Sequence, residues 1–301
     1  MQPNFFQLVY YLGILLSLSL LIVNSAEAAS LIEGFSHPES ITADSTGRIF
    51  VSNIGEKMEH TAKDGDGFIT ELSADGTVKR KFFNPKGTLN APKGLAVVNN
   101  VLYVADIDRI VGFNLQNGKQ VFSLDLSSAK TSFLNDLATI DENTLLASAS
   151  DTGTVYQISI PNKQFVAVSG QIPGANGISY DSQTKSIYVV GLGENFNGKG
   201  GIYKLTMAKP TVQFEQISVL PGFFDGIALL NDNRLIYSDW VGIQKPTPGA
   251  IYIYNANTKK ADLLNLPIEI NGPADFYYQP KAGLLWLPLT LNNKVAILKL
   301  N

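Results

Sequence analysis

"HPESITADSTGRIFVSN" spans His37–Asn53: a short apolar strand, a polar turn and a second apolar strand. Glu39 stands at the entry of the first strand, where β-branched and aromatic residues are the usual choice and Glu is depleted. The same grammar returns five times. It is seen in "PKGLAVVNNVLYVAD" from Pro92, "LNDLATIDENTLLASAS" from Leu134 and "ANGISYDSQTKSIYVVG" from Ala175. It is seen again in "FDGIALLNDNRLIYSD" from Phe224 and "PADFYYQPKAGLLWLPL" from Pro273. Most copies continue into a third strand led by glycine, such as "GFITEL", "GTVYQI" or "GAIYIY", and a more polar fourth, such as "KQVFSLDL" or "KADLLNL". The strands are four to eight residues long, bounded by turn residues, and no amphipathic helical period interrupts them.

Six four-stranded units of about 45 residues predict radial repetition, an all-β six-bladed β-propeller. A β-sandwich is the alternative, but its strands would not align residue for residue. The sixth unit stops after its third strand at Asn301, while an orphan strand, "SLIEGF", lies at Ser30–Phe35. Setting that N-terminal strand on the last blade completes six sheets and closes the ring.

Before it, "LGILLSLSLLIV" (Leu12–Val23) and the small residues Ala26 and Ala28 fit a signal peptide's apolar region and cleavage site. The expected division is a signal peptide over 1–28 and the propeller over 29–301, in an exported, periplasmic or secreted protein without stable membrane association after cleavage. The n-region has no Lys or Arg, so an uncleaved anchor is the competing reading. There is no Cys, hence no disulfide framework, which suits a bacterial periplasmic protein. A net charge of −3 with scattered basic residues gives no footprint for nucleic acid. A monomer acting on a small molecule is expected.

In a propeller the first strand of each blade lies nearest the central channel, and its N-terminal end opens on one face. The entry residues Glu39, Lys93, Asn135, Asn176, Asp225 and Ala274 should therefore form a ring. Two carboxylates and two amides make a hard, all-oxygen donor set. Ca²⁺ accepts such oxygens in flexible geometry, and another hard divalent cation is possible. Zinc would want Cys or His, and the chain has no Cys and two His. Lys93 is out of place beside a dication. It turns aside to pair with Asp136 or another acid, weakens the site, or puts its ammonium where the ion would be.

The order Glu–Asn–Asn–Asp, in "HPES", "LNDLA", "ANGIS" and "FDGIA", resembles the calcium tetrad of the six-bladed family of senescence marker protein, gluconolactonase and luciferin-regenerating enzyme. Diisopropyl-fluorophosphatase and, more distantly, the paraoxonases are similar. The resemblance implies that Glu39, Asn176 and Asp225 bind the metal, and that Asn135 binds it or contacts substrate. It also implies a calcium-dependent hydrolase of lactones or related esters, with Asp225 and Asn135 as the catalytic pair. Sugar lactonases carry an Arg two residues before the blade-three Asn; here that residue is Phe133, which favours a more apolar substrate. The paraoxonase pattern has a second Asn after the blade-five Asp, and here it is Gly226.

Loops between second and third strands are long in blades one, four and five and should cover the mouth. Phe133, Phe196, Phe224, Trp240 and Lys93 are expected to line a substrate pocket. Asp136 and Asp239 are further candidates for activating water. "KDGDG" (Lys63–Gly67) lacks the spaced acids of a calcium loop and reads as a hairpin turn. His37 is expected to be structural and His60 to be solvent-exposed. Two other functions remain open: a non-catalytic propeller of the NHL-repeat kind with a structural metal, and a metal-free acid–base enzyme of the strictosidine-synthase kind.

Overall fold

Six antiparallel sheets of four strands each stand around a central channel. The structure, a computed structural model, describes residues 25–168, 171–207, 213–218, 220–243 and 247–300. Blade one is built from Pro38–Ala43, Ile49–Asn53, Phe68–Leu72 and Val78–Arg80. Blades two to five repeat it, with inner strands Pro92–Val98, Leu134–Asp141, Ala175–Asp181 and Phe224–Leu229. Blade six runs outward from Tyr277–Gln279 through Leu284–Leu289 and Lys294–Leu300 to the N-terminal strand Ala26–Glu33. Among the described residues the only helical segments are three single 3₁₀ turns.

The closing strand is as expected in place and longer than expected. Ser30 to Glu33 pair with Ile297 to Lys294, and Ala26 pairs with Leu300. The strand thus begins ahead of the expected cleavage point after Ala28, and most of the expected signal segment, residues 1–24, lies outside the described residues.

Apolar residues on successive blades fill the wedges between sheets. Phe50, Ile69, Leu95, Val104 and Phe113 pack together between blades one and two. Val51, Trp286 and Val295 join Ile41 and Phe35 between blades six and one. This alternation of buried faces is what the period-two patterning encodes.

One irregularity recurs where each of the first five inner strands begins. Pro38 pairs with Asn53, but the next pair is Ile41 with Val51, so two residues, Glu39 and Ser40, oppose one, Ser52. The same slip follows Pro92, Leu134, Ala175 and Phe224. The ring residue and its successor therefore form a β-bulge, a device that re-aims side chains at a sheet's rim. A bulge takes a backbone N–H out of the ladder, and a buried N–H needs a partner. In blades one, three and five a second-strand serine supplies it. The N–H groups of Ser40, Asp136 and Gly226 donate to the hydroxyls of Ser52, Ser148 and Ser238 at 2.9, 2.9 and 2.8 Å.

The bulges crowd the axis. A Cβ on Gly177 would lie 2.1 Å from the Asp225 carbonyl oxygen, and one on Gly94 would lie 2.3 Å from the Asp136 Cα. Only glycine lets neighbouring inner strands approach so closely.

Candidate metal and substrate site at the channel mouth

All six ring residues are buried, and four of them reach one cavity of about 350 Å³. Glu39, Asn135, Asn176 and Asp225 form its floor, each delivered by a different blade. Their partners orient them. The Asn135 amide nitrogen donates to Ser150 Oγ at 3.1 Å, and Ser150 donates in turn to the Ala175 carbonyl at 2.7 Å. Asp225 Oδ2 accepts from Trp240 Nε1 at 2.7 Å.

What these bonds leave over is the central observation. Glu39 Oε2, Asn135 Oδ1, Asn176 Oδ1 and Asp225 Oδ1 are buried and accept no hydrogen bond among the described residues. Among the described residues only two other buried side-chain polar atoms share that condition, Thr152 Oγ1 and Trp286 Nε1, and neither residue lines the cavity. Buried polar atoms are nearly always satisfied, so four orphaned oxygens on one floor call for a partner. Two carboxylate and two amide oxygens match what a hard divalent cation takes, and leave room for water or substrate. No cluster of three or more acidic, His or Cys side chains in metal-binding reach occurs among the described residues; half of this set is amide.

Electrostatics points the same way. Burial, and then the charge of Asp225, hold the Glu39 carboxyl well above the usual carboxylate range, while Lys93 opposes the shift. Burial and then Asp275 push Asp225 up to about 8, against the hydrogen bond from Trp240. Asp275 lies one register position below the ring and is itself pushed up to about 7 by burial. It accepts a 2.5 Å hydrogen bond from Ser40 Oγ. Without a cation this mouth favours protonated acids; with one it favours carboxylates.

The cavity walls are apolar. Ile54, Met58, Phe133, Leu192, Phe196, Trp240, Ile243 and Leu291 rise around the floor, so Phe133, Phe196 and Trp240 lie where the sequence put them. Phe224 and Lys93 do not. Phe224 is 2% exposed and packs edge-on against Tyr237, with ring centroids 4.8 Å apart, inside blade five. Lys93 sits behind the wall. Its ammonium donates to the carbonyls of His60 (2.8 Å) and Ala91 (3.0 Å) and lies 4.8 Å from the Phe133 ring centroid. The pairing with Asp136 does not form, since Asp136 accepts from the backbone of Leu137 and Ile178. Burial brings the Lys93 ammonium down to about 8, with Glu39 and Asp106 opposing.

His60 is a correction. It is half-buried on the cavity wall, stacked on Phe133 with centroids 5.5 Å apart. Burial, then Lys93 and His37, depress its imidazole to about 4, so it is neutral at pH 7. The reason lies in the buried Lys93 ammonium, which donates to the His60 carbonyl at 2.8 Å and holds this part of the blade-one loop against the mouth. His37 is structural as expected, its Nδ1 lying 3.0 Å from the Gly55 carbonyl oxygen. "KDGDG" is not the expected hairpin turn but a bend within the long blade-one loop, tied back to the loop's start where Asp66 accepts from the Glu56 N–H at 2.8 Å.

Neither further acid reaches the cavity. Asp239 accepts from the backbone of Phe223 and Val241, at 3.1 and 2.8 Å. Asp106 does the same for Asn90 and Ala91, so an Asp at this register position anchors the incoming chain in blades two and five. That leaves Glu39 and Asp225 as the carboxylates at the mouth.

No protein-family model matches the chain, and no curated protein does either. Solved structures do match. Selenomethionine-substituted virginiamycin B lyase from Staphylococcus aureus superposes with a TM-score of 0.59 at 14% identity, covering 91% of this chain and 100% of that one. A catalytically inactive histidine-to-alanine variant of that lyase with quinupristin gives 0.56 at 16% identity, over 91% and 100% of the two chains. A streptogramin B lyase gives 0.56 at 16%, over 91% and 98%. At such identities the likeness shows the fold alone. The chain is a six-bladed β-propeller with a buried oxygen tetrad under an apolar mouth.

Proposed function

We propose that the protein is a calcium-dependent hydrolase of lactones or related esters, of the gluconolactonase-like kind. The observation that carries this is the set of four orphaned oxygens, one from each of four blades, on the floor of a single cavity. Glu39, Asn135, Asn176 and Asp225 would hold the ion. A calcium ion bound there supplies Lewis-acid polarisation of a carbonyl or phosphoryl oxygen and a charge opposing the developing oxyanion.

The protein's own residues do the rest. Trp240 fixes the Asp225 carboxylate, the candidate to take a proton from water. Ser150 fixes the Asn135 amide. Phe133, Phe196 and Leu291 exclude bulk water from the reacting group, which strengthens every charge interaction within.

A second reading keeps the ion as structure in a non-catalytic binding propeller. One observation favours it: Asp136 and Asp239 are committed to backbone N–H groups, so among the described residues no carboxylate beyond Glu39 and Asp225 faces the cavity. A panel of lactones, aryl esters and organophosphates, assayed with EDTA and with re-added Ca²⁺, separates the two. Turnover lost in EDTA and restored by calcium is expected. Calcium binding with no turnover across the panel would favour the binding propeller.

A further inference from the structure

We infer that the substrate of this mouth is an amphiphile: one ester or lactone carbonyl at the floor, and an unsubstituted alkyl arm that runs up the wall and out across the rim. This rests on the proposed hydrolase site but concerns a different part of it. The floor holds four open acceptors, and above it, among the described side chains of the wall, Trp240 and Thr290 already use their donors, which leaves the His60 imidazole as the one polar side chain with an atom to offer. Trp240 Nε1 donates to Asp225 at 2.7 Å, and Thr290 Oγ1 donates to the Pro38 carbonyl at 2.6 Å. His60 presents a neutral ring stacked on Phe133.

A polyhydroxylated lactone would therefore bring hydroxyls to Ile54, Leu192, Phe133 and Phe196 and strip them of water without replacing its hydrogen bonds. An alkyl arm meets no such penalty. The cavity, about 350 Å³, is at the small end for ligand sites, so it encloses the carbonyl and the first part of an arm.

The rim continues the apolar surface. Met58, Ile243 and Leu291, from the loops of blades one, five and six, are 37%, 46% and 37% exposed and line the same cavity. Large apolar side chains left in water together on the lip of a pocket mark a binding surface. Here they extend the wall in the direction the arm must leave. Each enclosed methylene should raise apparent affinity about threefold, close to the transfer value for a buried CH₂.

The test uses two homologous series on the calcium-loaded protein. Straight-chain 4-nitrophenyl esters from C2 to C8, with glucono-lactone alongside, report hydrolysis. Straight-chain methyl ketones of matching length, which have no bond to break, report binding through the fluorescence of Trp240. Both kcat/KM and ketone affinity should climb about threefold per methylene, and glucono-lactone should fall below about 1% of the best ester. Ile243→Ser, on an exposed loop, should flatten the climb at the longest members.

Ketone binding that steepens with length while no ester turns over would sink the hydrolase and keep the amphiphile site. Hydrolysis indifferent to chain length, or faster with glucono-lactone than with the octanoate, would overturn the amphiphile and keep the hydrolase. Flat ketone binding with no turnover would overturn this inference as well.

Discussion

Replacing Asp225 with asparagine lowers calcium affinity and cuts calcium-dependent hydrolysis at least tenfold. The substitution keeps size and shape, so packing around blade five is preserved. It removes one of the two carboxylates on the floor. It also breaks a division of labour, because Oδ2 accepts from Trp240 while Oδ1 stays open to the cavity. An amide must turn its NH₂ either toward the Trp240 N–H, where two donors collide, or toward the cation, where a donor replaces a ligand. A tenfold loss of rate needs only about 1.4 kcal/mol of lost transition-state stabilisation. Lys93→Met is the informative companion. It takes a positive charge from beside Glu39, so calcium affinity should rise. It also leaves the His60 and Ala91 carbonyls without their donor, so the melting temperature should fall by an amount worth about 1–3 kcal/mol. Unchanged calcium affinity and unchanged turnover in Asp225→Asn would reduce Asp225 to a turn former.

The largest stability effect is expected at the other end of the molecule. A chain beginning at Ser36, compared with one beginning at Ala29, loses the outer strand of blade six and leaves Lys294–Leu300 as a raw edge. It also loses Phe35 and Ile32 from the cluster they share with Trp286 and Val295, and the 2.8 Å ion pair of Glu33 with Lys294. Two such apolar side chains are together worth about 3–5 kcal/mol. Melting should therefore drop by about 10 °C or more, as one cooperative transition. A truncated protein that melts within a degree or two of the longer one would show that the N-terminal strand does not close the ring.

The ring was legible because each of the first five repeats places one residue at the same bulge, so aligning the repeats aligns the site. Glu39, Asn135, Asn176 and Asp225 needed no loop geometry to be found. The walls did, since loops carry no period. His60 and Ile54 come from the blade-one loop, and Thr290 and Leu291 from a 3₁₀ turn in a blade-six connection too short to suggest a wall.

Phe224 and Phe133 show how strand parity separates pocket from core. Phe133 stands two residues before the ring position, just ahead of the strand Leu134–Asp141, and lines the mouth. Phe224 stands one before, points the other way and packs on Tyr237. Lys93 follows neither rule, because four methylenes let its ammonium leave the ring for carbonyls behind Phe133. The serines at 52, 148 and 238 were visible at one register position in the aligned repeats. Their task became readable only with the bulge whose N–H each one accepts.

The central claim is that the four orphaned oxygens bind one calcium ion, and titration of chelator-stripped protein with CaCl₂ tests it most directly. Burial holds Glu39 well above its ordinary range and Asp225 at about 8, so at pH 7 the calcium-free mouth retains protons that the ion must displace. Affinity should therefore rise with pH between about 5 and 8, and proton release should appear as a binding heat that depends on the buffer's ionisation enthalpy. The expected result is about one calcium per chain with proton release at pH 7; fewer than about 0.2 equivalents bound, at pH 7 and pH 8 alike, would contradict it.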